Sequence, residues 1–179
     1  MSPSALDLFT EELASIHREF PGFTIKPKQG SPLCKVINAV LVVLTFGAIR
    51  SFMTDYITVI YKTMYVPPRW ANMPWLHRWI ALRHEGIHLR QAKNCGFGRF
   101  WLGWIIWAFA YVFLLPFGLT LRSRWEREAY TEAIRCSQRY GVKVNRSRTF
   151  YKFTGSPYFW MDLRRRKVSE WLDQLGVEG

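Results

Sequence analysis

The stretch RHEGIHLRQ, residues 83–91, sets two histidines four positions apart with a glutamate directly after the first. On a helix, positions i and i+4 share a face, so His84 and His88 can aim imidazole nitrogens at one ion about 2.0 to 2.1 Å away. Glu85 projects beside them, placed to take a proton from a zinc-bound water whose pKa the ion brings down to roughly 7. A catalytic zinc site also needs a third protein ligand and an open fourth position. Downstream, RWEREAY offers Glu126 and Glu128. His17 and His77 are the other histidines, and His77 lies two helical turns before His84, which makes it the weaker candidate. The competing reading of HEGIH is a solvated basic helix, because Arg83, Arg90 and Lys93 flank it.

These residues need helices to hold them, and the pattern supplies candidates. Pro74 to Cys95 reads as the helix that carries the motif, with proline near its first turn and Gly96 as a stop. RSRWEREAYTEAIRCSQRYG reads as the helix of the third ligand, closed by Gly141. Before them, Ser4 to Glu19 has Leu6, Phe9, Leu13 and Ile16 at helical spacing with Ser4 as cap, and KPKQGSP reads as a loop. Val36 to Ile49 carries no charge and fits a buried or interfacial helix better than a membrane span. Tyr56 to Val66, rich in β-branched and aromatic residues and closed by Pro67-Pro68, reads as a strand. VKV and RTFYKFT read as a short C-terminal hairpin, and residues 156–176 as a final helix.

Phe100 to Leu121 has no charged residue and by length alone would be taken as a membrane span. A single crossing would put His88 and Glu126 on opposite sides of about 30 Å of hydrocarbon, where they could not share an ion. A buried or re-entrant hairpin broken at Pro116 satisfies both demands and is the preferred reading. Within this run Trp101, Trp104, Trp107 and Tyr111 fall at helical spacing and read as core or lipid-facing packing.

TVIYKTMYVPPRW, RHEGIHLRQ and RWEREAY together resemble the small HExxH zinc metallopeptidases of the gluzincin branch of zincins, over about residues 55–140. The resemblance implies Zn²⁺ held by His84, His88 and Glu126, with Ala129 completing an ExxA pattern, and Glu85 as general base. Tyr130 stands where that family often has an aspartate that orients a ligand histidine, so support of that kind must come from elsewhere. It further implies that the strand Tyr56–Val66 is an edge that binds extended peptide. Tyr130, Tyr65 and His77 are open as donors to the oxyanion.

The chain of 179 residues is 49% hydrophobic and 17% aromatic with a formal charge of +12, which excludes a disordered chain and suits contact with an anionic surface. Its three cysteines are too few and too scattered for a disulfide framework or a thiolate zinc site. The N-terminus does not resemble a secretory signal, which predicts a cytoplasmic or membrane-associated protein.

The expected fold is α+β, a minimal zincin-like single domain over 1–179, mostly helical with a small sheet beside the HExxH helix. Within it, 1–30 is an N-terminal helix and loop, 55–140 the zincin-like core, and 141–179 a C-terminal hairpin and helix. The expected function is zinc-dependent hydrolysis of a peptide or protein substrate. A non-enzymatic structural or assembly protein on the same scaffold, as in a phage particle and so virion-associated, is the alternative. A basic membrane-surface protein comes next, and a nucleic-acid binder ranks last because none of the known motifs is present.

Overall fold

A computed structural model of the chain describes residues 3–44, 47, 51–97, 99–113, 119–155 and 161–178. The fold is a mostly helical α+β arrangement with one three-stranded mixed sheet. The chain divides into two compact units, Met1–Leu89 and Arg90–Gly179.

The first unit opens with helix α1, Ala5–Glu19. Ser4 caps it, accepting from the Asp7 N–H while the Asp7 carboxylate accepts from the Ser4 N–H at 3.0 Å, a reciprocal capping box that contributes about 1 kcal/mol. Its buried face carries Phe9 and Ile16. The sheet follows from strands β1 (Thr24–Pro27), β2 (Thr58–Ile60) and β3 (Thr63–Val66), in the order β1-β3-β2. β1 runs parallel to β3, and β2 antiparallel to it.

The expected single strand Tyr56–Val66 is therefore a hairpin. Ile60 pairs with Thr63, leaving Tyr61 and Lys62 as the turn, with Tyr61 at φ 55° in the left-handed region that a two-residue turn demands. Because β3 is paired on both sides, only β2 offers that segment a free sheet edge among the described residues.

Two helices lie between β1 and β2: α2, Pro32–Leu44, and the short α3, Phe52–Asp55. The loop predicted at KPKQGSP contains a buried surprise. Lys28 is fully buried, donating from Nζ to the Phe52 carbonyl at 2.8 Å and to Thr58 Oγ1 at 3.0 Å, with the amine 3.5 Å from the centre of the Phe52 ring. A turn of 3-10 helix at Pro68–Asn72 then leads into α4, Trp75–Asn94, close to the predicted bounds. Within this unit the Phe9 ring meets Trp75 at 5.3 Å, and Arg83 of α4 pairs with the buried Glu12 of α1 at 2.8 Å.

The division falls inside α4, whose last residues belong to the second unit with α5 (Phe100–Phe113), α6 (Leu119–Arg139), α7 (Arg146–Thr154) and α8 (Arg165–Gln174). α5 crosses the end of α4 at contact distance. A Cβ on Gly103 would lie 2.1 Å from the Ala92 carbonyl oxygen, so this approach is open only to glycine. α6 ends as predicted at Gly141, in the left-handed region at φ 70°, where the Val142 N–H reaches back to the Ser137 carbonyl.

The expected C-terminal hairpin does not form. RTFYKFT lies in α7, because Asn145 caps the helix by accepting from the Arg148 N–H, and Thr149 and Phe153 then fall one turn apart on the buried face. Phe153 joins Ile134, Met161, Val168, Leu172 and Val177 in a core to which each fully buried large side chain contributes about 2 kcal/mol. The predicted final helix begins only at Arg165; residues 156–160 of that segment lie outside the described residues.

Beside this core sits Asp162, almost fully buried, accepting from Ser123, Arg127 and Arg164. Burial pushes its pKa up, but the Arg164 and Ser123 hydrogen bonds and the Arg127 charge outweigh that and hold it at about 2.

No helix among the described residues is long and apolar enough to cross a membrane. The turn expected at Pro116 lies outside the described residues.

Candidate metal centre

α4 places His84 and His88 one turn apart, with their Nε2 atoms 3.2 Å from each other and their rings edge-on at 82°. His88 and Glu85 are buried and His84 is half-buried. Ligand atoms of His84, His88 and Glu126 all lie within 4.8 Å of one another, so the three could hold a metal ion.

Glu126 is supplied by α6, where it is buried to 3% exposure. An ionised carboxylate at such a position needs polar partners, since burying it bare would cost several kcal/mol. Tyr111 of α5 provides one: its hydroxyl donates a short hydrogen bond to Glu126 Oε1. Burial and the neighbouring Glu126 charge raise the Tyr111 pKa well above that of a free phenol, with Arg122 opposing in part, so the hydroxyl remains a donor throughout the neutral range. Trp107 stacks on the Tyr111 ring at 4.8 Å and fixes its plane, and Trp107 also meets Trp125, the neighbour of Glu126, at 5.8 Å.

Glu128, the fallback ligand, is exposed and engaged elsewhere. Its Oε2 accepts from Gln91 Nε2 at 2.9 Å, and the same Gln91 amide donates to the Trp125 carbonyl at 3.0 Å. Gln91 thus ties the last turn of α4 to the turn of α6 that carries Glu126.

His77 is exposed near the start of α4, and His17 is exposed with its ring edge-on to Phe23; neither joins the three-residue group. Tyr130 packs edge-on against Phe153 and accepts from Lys152, which places it in the α6–α7 packing. Tyr65 sits in the central strand β3.

In the first unit, buried Lys28 is coupled to Glu85. Burial lowers the Lys28 pKa to about 8, while Cys34 and the Glu85 carboxylate oppose the shift. Lys28 also bonds Thr58 of the edge strand β2, so one amine connects that strand with the field at Glu85.

Three supporting residues were not readable from sequence. Tyr111 looked like packing because its neighbours are apolar, and Lys28 looked like a loop cation. Gln91, three residues after His88, is visible only as a polar residue on the buried side of a helix whose registry the motif itself sets. Comparison with family models, curated proteins and solved structures finds no match to this chain.

Proposed function

We propose that the protein is a zinc-dependent hydrolase of peptide bonds, with Zn²⁺ held by His84, His88 and Glu126 and with Glu85 as general base. The observation that carries this reading is the 3.2 Å between the two Nε2 atoms. Two ligands at 2.0 to 2.1 Å from one tetrahedral ion lie roughly 3.3 Å apart, so the imidazoles already stand near the spacing that zinc requires. Two imidazole nitrogens and one carboxylate oxygen form the donor set typical of catalytic zinc, which leaves a fourth position for water or substrate. When bound, zinc would polarise a carbonyl and lower the pKa of water to roughly 7.

The protein's own residues would do the rest. Tyr111 orients the Glu126 carboxylate, and such outer hydrogen bonds typically tune affinity by about 10- to 100-fold. Glu85, directly after His84 and buried, accepts the proton of the attacking water and passes it to the leaving amine. An extended substrate could pair with the free edge of β2, whose Thr58 is fixed by Lys28.

Metal content of the purified protein tests the reading. About one zinc per chain is expected, with affinity reduced about a thousandfold in Glu126→Ala, since each ligand carries a few kcal/mol of a structural site's binding energy. Glu85→Gln should retain zinc and lose hydrolysis of a peptide library. A zinc-loaded wild type that cleaves nothing would leave a metal-stabilised scaffold in place of an enzyme, and a wild type that takes up no zinc would overturn the site.

A further inference from the structure

Two helices, one in each unit, turn apolar side chains to solvent. On α2, Leu33, Val36, Val40 and Val43 form one stripe, with Val43 at 73% exposure. On α5, Trp101, Ile105 and Phe109 do the same at spacings of four, while Trp107 on the opposite side is buried. Just before α5, Phe97 is 93% exposed and held at φ 48°, a backbone conformation rare for a bulky residue. Single exposed apolar residues are ordinary, but contiguous stripes of this kind mark a surface that something else covers.

Charge says what covers them. Between Glu19 and Asp55, the stretch that contains α2, there is no acidic residue, and Lys26 and Lys35 are exposed, with Arg50 a further cation in the sequence. Between Glu85 and Glu126, around α5, there is again none, against Arg90, Lys93, Arg99, Arg122 and Arg124. The chain's 13 carboxylates therefore all lie outside both apolar stretches. At 13 and 14 residues the two helices are roughly 20 Å long, too short for about 30 Å of hydrocarbon but suited to lying in a headgroup layer. Trp101 beside Arg99 gives the pairing of amphipathic ring and cation that favours that layer.

We infer that α2 and α5 dock the protein on an anionic lipid bilayer, with their apolar stripes entering the headgroup boundary and the surrounding cations meeting lipid phosphates. Nucleic acid offers such stripes nothing apolar to enter. A second copy of the chain would bring cation to cation around each stripe. The inference stands on exposure and charge and is independent of the metal site.

Co-sedimentation of the full chain with vesicles tests it, using phosphatidylcholine alone and phosphatidylcholine with one third phosphatidylglycerol. The protein is expected to partition onto the anionic vesicles and far less onto the neutral ones. Ile105→Asn with Phe109→Asn, and separately Val36→Asn with Val43→Asn, should each weaken partitioning by at least about tenfold. Arg99→Gln and Arg124→Gln should each weaken it roughly fivefold on anionic vesicles only. Circular dichroism should be unchanged in all four, since these side chains are exposed. Absence of binding to anionic vesicles, or binding that none of these variants alters, overturns the proposal. So does a concentration-dependent dimer in size-exclusion chromatography that the asparagine variants dissolve, because a second copy would then own the faces.

Discussion

In α4 and α6 the polar side chains of Glu85, His88, Gln91, Ser123 and Glu126 are buried, whereas in α2 and α5 valine, isoleucine, tryptophan and phenylalanine are exposed. Both arrangements reverse the usual partition, but they are resolved differently. The buried polar groups find partners within the protein: Gln91 grips Trp125 and Glu128, Ser123 donates to Asp162, and Tyr111 donates to Glu126. Burial without such partners would cost about 1 to 3 kcal/mol for each neutral group. The exposed stripes leave apolar surface in water. The contrast teaches that the interior polar groups are held by partners within the fold, while the exterior faces keep apolar surface in solvent.

The largest test of this contrast concerns Lys28, the interior polar group whose hydrogen-bond partners are neutral. Its folded pKa of about 8 lies below the 10.5 of a free lysine, so between those values the unfolded chain holds a proton that the folded chain has released. Stability should therefore rise as pH increases from about 8 to 10.5, and the penalty of the buried charge should be felt in full below about 8. The rise amounts to about 3 kcal/mol. Urea denaturation across that range should show it in the wild type, and Lys28→Met should flatten it. A curve equally steep in the variant would mean that Lys28 is charged at no cost and that the interior is better compensated than its neutral partners allow.

Tyr111→Phe comes next. It removes one donor to the buried Glu126 while preserving the stack on Trp107, so zinc affinity of the proposed site should fall by about 10- to 100-fold, and the metal-free protein should lose about 1 to 3 kcal/mol of stability. Competition with a chromogenic chelator reads that change directly. Unchanged affinity would show that packing of α5 and α6 alone aims the carboxylate.

The smallest effect belongs to the exterior. Val43→Ser should change folding stability in solution by no more than about 0.5 kcal/mol, because the side chain is 73% exposed. A loss of about 2 kcal/mol on denaturation would mean that the stripe is covered within the folded protein and would erase the contrast.

Local rules made parts of this molecule legible. Ser4 announces α1, and the helix of HEGIH can be read from Pro74 and Gly96 because its start and stop are written in adjacent residues. RWEREAY put forward both Glu126 and Glu128, and Glu126 could be preferred only through the ExxA pattern that the family resemblance implies. Other features depend on distant partners and left no local trace. The break at Tyr61 follows from the pairing of Ile60 with Thr63, and nothing in YITVIYKTMYV marks a tyrosine for the left-handed region. RTFYKFT alternates well enough to read as a strand, yet the cap at Asn145 and the distant core residues Val168 and Leu172 select a helix. Tyr111 became a polar partner, and not one more aromatic in an apolar run, only because α6 returns Glu126 to it.

The burial of Lys28 also makes it a natural clock. An acylating reagent added to the native protein meets Lys26 at the surface but cannot reach the amine two residues along, sealed by Phe52 and Thr58. Modification of Lys28 must wait until the first unit opens. The ratio of labelling at these neighbouring lysines, read by mass spectrometry of one peptide, would count those openings.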